Sequence, residues 1–181
     1  MFFRPIALIV FPTALVYAAL FVLNDYVFGS LWFSPGVSWV FLPSGLCLIA
    51  ILLFEQWGAL GIIVGSLSVL GAQGSEPDPV TAVGAALISG LAPLAARRVC
   101  LGLAHIDVHL QSLTATGLLR VTLIFSSLSA ALQQCWFAWR GSAEHFFPQL
   151  LVTLTANVVG AMLVLYACKL MLHFSAYLRK G

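Results

Sequence analysis

Apolar residues run in long blocks along this chain, and polar residues collect in the short gaps between them. Six blocks can be drawn, at Pro5–Leu23, Val37–Phe54, Trp57–Gly71, Val80–Ala96, Leu113–Trp136 and Phe147–Leu172. A helix needs about 20 apolar residues to cross roughly 30 Å of hydrocarbon. In lipid each backbone N–H and C=O must find an internal partner, which forces such blocks to be helical. The pattern predicts an all-α fold: a polytopic membrane helical bundle of about six transmembrane helices, forming a single integral membrane domain over residues 1–181. The third block is short, which suits little tilt or a locally thinned bilayer.

Composition points the same way. Hydrophobic residues make up 61% of the 181 residues and charged ones only 8%, against about 45–50% and about 25% in soluble domains. So few charges cannot cover a water-facing surface, and membrane lipid is the expected surroundings. A formal charge of +2 without a basic stripe gives no footing for nucleic acid. The first 23 residues have the outline of a signal peptide, with Arg4, an apolar core, then Ala18 and Ala19. The apolar run is long for a signal, so a retained first helix is expected.

The basic residues orient the drawing, because Lys and Arg favour the cytoplasmic ends of helices. With the N-terminus inside, Arg4, Arg97, Arg98, Lys169, Arg179 and Lys180 all fall on the cytoplasmic side, and Arg140 falls outside. The expectation is a multi-pass protein of a bacterial inner membrane with both termini cytoplasmic. Trp32 and Trp39 then flank the second helix at the outer face, while Trp136 and Trp139 end the fifth. Indoles favour the headgroup level, so these four form an outer interface: an anchor in the leaflet or a docking face for another membrane protein. Gln133 and Gln134 lie nearby and are expected to face headgroups.

Pro43, Ser44 and Gly45 stand at the head of the second block. Pro is tolerated in the first turn of a helix, where its missing N–H would be orphaned anyway. A helix starting near Leu42 is simply opened by Pro43; one starting near Val37 is kinked by it. Glu55-Gln56-Trp57-Gly58 then makes a tight inner turn, pairing the second and third helices as an antiparallel hairpin. Gly61 and Gly65 share one face, a spacing that lets another helix approach closely. Ala14 with Ala18, and Ala156 with Gly160, repeat the small-residue spacing. These are packing signals, serving either this chain or a dimer.

Polar groups at depth are the best functional candidates in a membrane protein. Arg120 sits roughly 10 Å into the fifth helix at 1.5 Å per residue. It keeps its charge and so needs a partner or must snorkel; Glu55 and Asp107 are the candidates, and an anionic ligand is the functional alternative. Asn157 lies near the middle of the sixth helix beside Thr153 and Thr155. It suits interhelical hydrogen bonding first and a ligand contact second. His105 and His109 are spaced as a metal-binding pair around Asp107, but no third ligand shares their face, so no metal is expected. The histidines lie near the membrane surfaces rather than mid-membrane, which argues against haem. Cys47, Cys100, Cys135 and Cys168 form no CxxC and read as small hydrophobes. Nucleophile elbow, Walker loop, HExxH and paired carboxylates are all missing from the sequence. It therefore implies no enzyme and no cofactor.

Two short motifs resemble the first type of membrane-associated sensor (MASE) domain, found at the N-termini of bacterial histidine kinases and diguanylate cyclases. Its Trp-Pro-Pro-x-Gly-like opening is matched by Phe41-Leu42-Pro43-Ser44-Gly45, followed by the hairpin from Phe54 to Gly65. Its Gly-Asp-x-x-Gly-like helix is matched by Thr155-Ala156-Asn157-Val158-Val159-Gly160, then an apolar run. Phe41 and Leu42 replace the aromatic and first Pro, and Asn157 stands at the acidic position. With no output domain expected after Gly181, the resemblance implies a membrane module alone, acting through membrane or signalling protein partners. The function expected is thus a non-catalytic, sensor-like module, with an unknown small-molecule ligand open. Two alternatives fit the same hydropathy: a substrate-binding subunit of an energy-coupling-factor importer, and a structural accessory subunit of a larger membrane complex.

Overall fold

The computed structural model describes residues 3–34, 37–72, 78–102, 115–141 and 145–178. Among these residues are five long helices: α1 (Phe3–Phe28), α2 (Pro43–Ala72), α3 (Pro79–Gly102), α4 (Ala115–Trp139) and α5 (Phe146–Leu178). Between α1 and α2 a short 3-10 turn, Gly29–Leu31, leads into two small strands, β1 (Trp32–Ser34) and β2 (Val37–Ser38). These pair antiparallel, with Trp32 opposite Ser38 and Ser34 opposite Val37. The described chain is all-α apart from this ribbon.

Each helix is long and apolar enough to cross a bilayer, with mean hydropathy from 1.3 to 2.6 over its best window. Only 17% of the α1 window is buried, and Leu8, Phe11, Leu15 and Val22 point outward. Such a surface is stable only against lipid, since nothing polar separates it from its surroundings.

The count differs from the sequence expectation. Among the described residues five helices, rather than six, are long and apolar enough to span, because the third expected segment and the second from Pro43 onward both fall in α2, while Val37 and Ser38 form β2. The α2 element is not straight. Glu55 has φ 50 and ψ −122, values of the first central residue of a type II′ turn rather than of a helix. A methyl group placed on Gly58 would meet the carbonyl of Ala50. In an uninterrupted helix those two residues would stand about 12 Å apart along the axis. The two parts of α2 are therefore folded back against each other, and Gly58 is required where their backbones touch.

Gly61 and Gly65 press onto α1, facing Val10 and Thr13, then Ala14 and Tyr17. The small-residue stripe is thus consumed inside the chain, letting two backbones approach as small interfacial residues do in membranes. Along this contact the second part of α2 runs in the same direction as α1. A core of Tyr17, Cys47, Leu48, Ile51, Ile62, Cys100 and Phe125 fills the centre. Pro43 opens α2, and the amides of Ser44 and Gly45 close the first turn onto the carbonyls of Phe41 and Leu42, each at 3.1 Å. Of the two readings of Pro43, the structure shows the opening one.

α3 begins on Asp78-Pro79, with the Asp78 carboxylate accepting hydrogen bonds from the Thr81 amide at 3.2 Å and the Thr81 hydroxyl at 2.6 Å. An aspartate cap followed by proline is a strong helix start. Arg140, at the end of α4, donates to Asp78 Oδ2 and to Thr81 Oγ1, each at 3.0 Å. The Trp136 indole lies over Gly84 and donates to the Thr81 carbonyl at 3.2 Å. This cluster ties α3 to α4 at the end of the bundle that also carries the strand ribbon, called the strand end below. The Asp78 carboxyl is held below its ordinary value of 3.8, chiefly by the Thr81 hydroxyl and further by its amide and Arg140. Stabilisation from a lowered carboxyl is complete above the unfolded value and disappears as pH falls through the folded one. A difference in melting temperature between the native chain and Asp78→Asn is therefore expected at pH 5 to 7. It should shrink as pH falls below about 4 and close once the folded carboxyl is protonated; a difference that does not shrink in acid would show that the carboxylate is not its source.

Candidate ligand cavity

The segment entering α2 is fastened on both sides. From α1, Asn24 Oδ1 accepts the Leu42 amide at 2.8 Å. On α5, the Ala156 carbonyl accepts the Phe41 amide at 3.3 Å. The Ser44 hydroxyl lies 2.7 Å from the Phe41 carbonyl and 2.8 Å from that of Asn157. A methyl group on Gly160 would strike the Phe41 carbonyl, and one on Gly45 would approach Val164 Cβ to 2.5 Å. The two stretches singled out in the sequence, Phe41–Gly45 and Thr155–Gly160, are thus one junction, in which non-helical backbone finds its hydrogen-bond partners on a neighbouring helix. Irregular backbone at membrane depth is tolerated where protein supplies those partners.

Between this junction and the strand end lies a cavity of about 410 Å³. Every helix contributes to it, as do the ribbon and the segment before α2. Tyr17, Phe21, Trp32, Phe41 and Phe137 supply aromatic surface. Asn24, Ser66, Ser89, Gln133, Thr153 and Asn157 supply polar groups, with Ser38 from the ribbon. Asp25 and Trp32, both exposed, stand at its rim. A concave, mainly apolar space with a few convergent polar groups is the usual form of a small-molecule site, and this volume lies in the usual range of about 300–1,000 Å³.

Asn157 is the distinctive group. It is only 4% exposed, and its Nδ2 has no hydrogen-bond partner. Buried amide donors are nearly always satisfied. Asn157 lines the cavity, so a rotation of its amide would bring this orphan donor to a molecule held there. Gln134, by contrast, is spent within the fold: 1% exposed, it donates from Nε2 to Thr153 Oγ1 at 2.9 Å and joins α4 to α5.

Other candidates fall elsewhere. Glu55 pairs with Arg97 at 2.6 Å, not with Arg120. Arg120 is exposed on α4 and does not border the cavity, while Asp107 lies outside the described residues, with His105 and His109. Among the described residues no cluster of three metal-ligating side chains occurs. Gln133 and Gln134 turn inward rather than toward headgroups, because Thr153 and the cavity give them polar neighbours. Trp136 is half-buried and spent on α3, whereas Trp139 is 73% exposed. Trp32 and Trp39 are exposed on the ribbon, with Trp39 edge-on to Phe33 at 6.1 Å.

Tyr17, Asn24, Ser66 and Ser89 were not legible as site residues. Lone polar residues in apolar helices carry no mark of the face they will occupy. The only available signal was Asn24, a strong hydrogen-bonding group near the end of an otherwise apolar run. No protein-family model matches the chain, and neither a curated protein nor a solved structure is detectably similar to it.

Proposed function

We propose that this chain is a non-catalytic, sensor-like membrane module that binds a small solute in the cavity and works through a protein partner. The observation that carries the reading is the cavity itself, with aromatic walls, a rim at the strand end and the unpaired Asn157 amide at its border. The likeness of Phe41–Gly45 and Thr155–Gly160 to sensor-domain motifs supports it, because those stretches meet beside the cavity. A ligand bordering Asn157, Phe41 and Asn24 touches groups on α5, the entrance of α2 and α1 at once. It is thereby placed to bias how these elements pack. A ligand shifts an equilibrium only through such differential contacts.

The proposed topology is six passes in a bacterial inner membrane, with both termini cytoplasmic and the strand end outward. The reversal at Glu55 supports it: the segment from Val37 together with the first part of α2 would make one pass and the second part of α2 another. Reporter fusions at Met1 and Gly181 are expected to locate both ends in the cytoplasm; ends on opposite faces would refute it. The outward cavity is tested on a cysteine-free background carrying Ser89→Cys. A membrane-impermeant thiol reagent should label it in spheroplasts and not in sealed inside-out vesicles. Labelling in the vesicles alone, or in neither, would sink the reading.

The same cavity suits the substrate-binding subunit of an energy-coupling-factor importer. Transport of a bound solute into vesicles would favour that assignment, whereas a ligand that changes a partner's activity without crossing favours the sensor. Ala14 is buried against Gly65, so this part of the α1 small-residue stripe is occupied within the chain.

A further inference from the structure

Resting on the solute-binding reading above, we infer that the cavity takes a planar aromatic or heterocyclic compound without negative charge, one that offers a carbonyl or ring-nitrogen acceptor to Asn157 Nδ2. Shape and surface come first. Rings from α1, the ribbon, the segment before α2 and α4 border one space, and aromatic walls favour flat ligands that stack or meet them edge-on.

Charge excludes anions. Among the described residues no lysine or arginine borders the cavity, and the one carboxylate that does, Asp25, is exposed at the rim. A carboxylate or phosphate would have to pass that like charge and shed its hydration with no cation to receive it. Burying an unpaired charge is far more costly than burying a hydrogen-bonded neutral group. The hydroxyls and amides that remain, Ser66, Ser89 and Gln133 among them, suit neutral polar edges.

The acceptor follows from Asn157. Its Nδ2 is buried and unpaired on a side chain that lines the cavity, so a rotation of the amide that presents Nδ2 to a ligand oxygen or ring nitrogen gains a hydrogen bond and relieves a standing penalty. A compound of the same shape without an acceptor leaves the donor as it was. A site built around a buried polar group therefore discriminates strongly against analogues lacking the partner atom.

Two matched sets of compounds test this by thermal shift and titration on the full chain in detergent. One set is indole-3-acetamide, indole-3-acetate and 3-ethylindole; the other is 2-naphthamide, 2-naphthoate and 2-methylnaphthalene. The expected result is that at least one amide binds about tenfold or more tightly than both its carboxylate and its acceptor-free analogue. Asn157→Leu and the smaller change Asn157→Ala should each abolish the preference over the acceptor-free analogue. A carboxylate that binds as tightly as its amide, or a preference unchanged in a folded Asn157 variant, would overturn the ligand class while leaving the cavity as a binding site. Binding by no member of either set would overturn the ligand class and the solute-binding reading together.

Discussion

Replacing Gly160 by valine is expected to cost this protein about 3 kcal/mol or more of stability, the largest effect of any single substitution considered for this chain. The reason lies in what surrounds the position. An added Cβ meets the carbonyl and carbon of Phe41 and comes within 2.9 Å of Ser44 Oγ. Backbone atoms cannot rotate away as a side chain can, so α5 would have to separate from the entrance of α2. Separation strips the Phe41 amide of the Ala156 carbonyl and the Ser44 hydroxyl of the Asn157 carbonyl, and in hydrocarbon no water replaces them. Gly160→Ala should show a smaller loss of the same kind. Gly71→Ala is the control: its Cβ meets nothing within 4 Å, and alanine favours helix over glycine by up to about 1 kcal/mol. Thermal unfolding in detergent, followed by tryptophan fluorescence, measures all three. A Gly160→Val protein that melts with the native chain would show that the junction is looser than described.

Replacing Glu55 by glycine is expected to stabilise the chain, although it deletes a salt bridge. Glu55 holds φ 50 and ψ −122, a region that residues with a Cβ enter at a cost of about 1–3 kcal/mol and glycine enters freely. The ion pair with Arg97 works against this at 2.6 Å, but the Glu55 side chain is 58% exposed, and exposed pairs contribute about 0–1 kcal/mol. Strain relief outweighs the lost pair, so a net gain of about 1 kcal/mol is expected for Glu55→Gly. Glu55→Ala separates the two effects, since it loses the pair and keeps the strain; it should be neutral or slightly destabilised. If glycine proves no better than alanine at this position, Glu55 is not strained and the reversal inside α2 is formed in another way.

That a glutamate occupies a turn suited to glycine has a physical reading. Its carboxylate faces Arg97 on α3, and the pair stands at the end of the bundle away from the strand ribbon. A reversal with a charged tip resists being drawn into hydrocarbon. The strain is accepted where the charge fixes the depth of the turn.

Much of the candidate site was visible as motif and invisible as geometry. Phe41–Gly45 and Thr155–Gly160 stood out in the sequence because proline, glycine and asparagine are unusual in apolar runs. Nothing in their spacing said that they touch, since contact across more than a hundred residues is a property of packing. Gln134 and Trp136 were legible as polar and amphipathic groups near a helix end. Their partners, Thr153 on α5 and Thr81 on α3, were not, and without partners the membrane surface was the natural destination. Arg120 and Glu55 looked like a pair by depth alone; the structure gives Glu55 to Arg97 because α2 and α3 are packed neighbours.

What the sequence determined by itself is the solvent and the secondary structure. With so few charges, only lipid can surround this chain, and lipid permits only internally hydrogen-bonded helices across it. The cap at Asp78, the opening at Pro43 and the turn at Glu55 are equally local, set by residues within a few positions of one another. Tertiary structure alone decided that the two motifs form one junction, that the glycine stripe faces α1, and that a cavity remains beside Asn157. These depend on which helix faces meet. In a chain whose helices are apolar all round, no hydrophobic stripe marks the inward face, so close packing and the pairing of a few polar atoms make that choice.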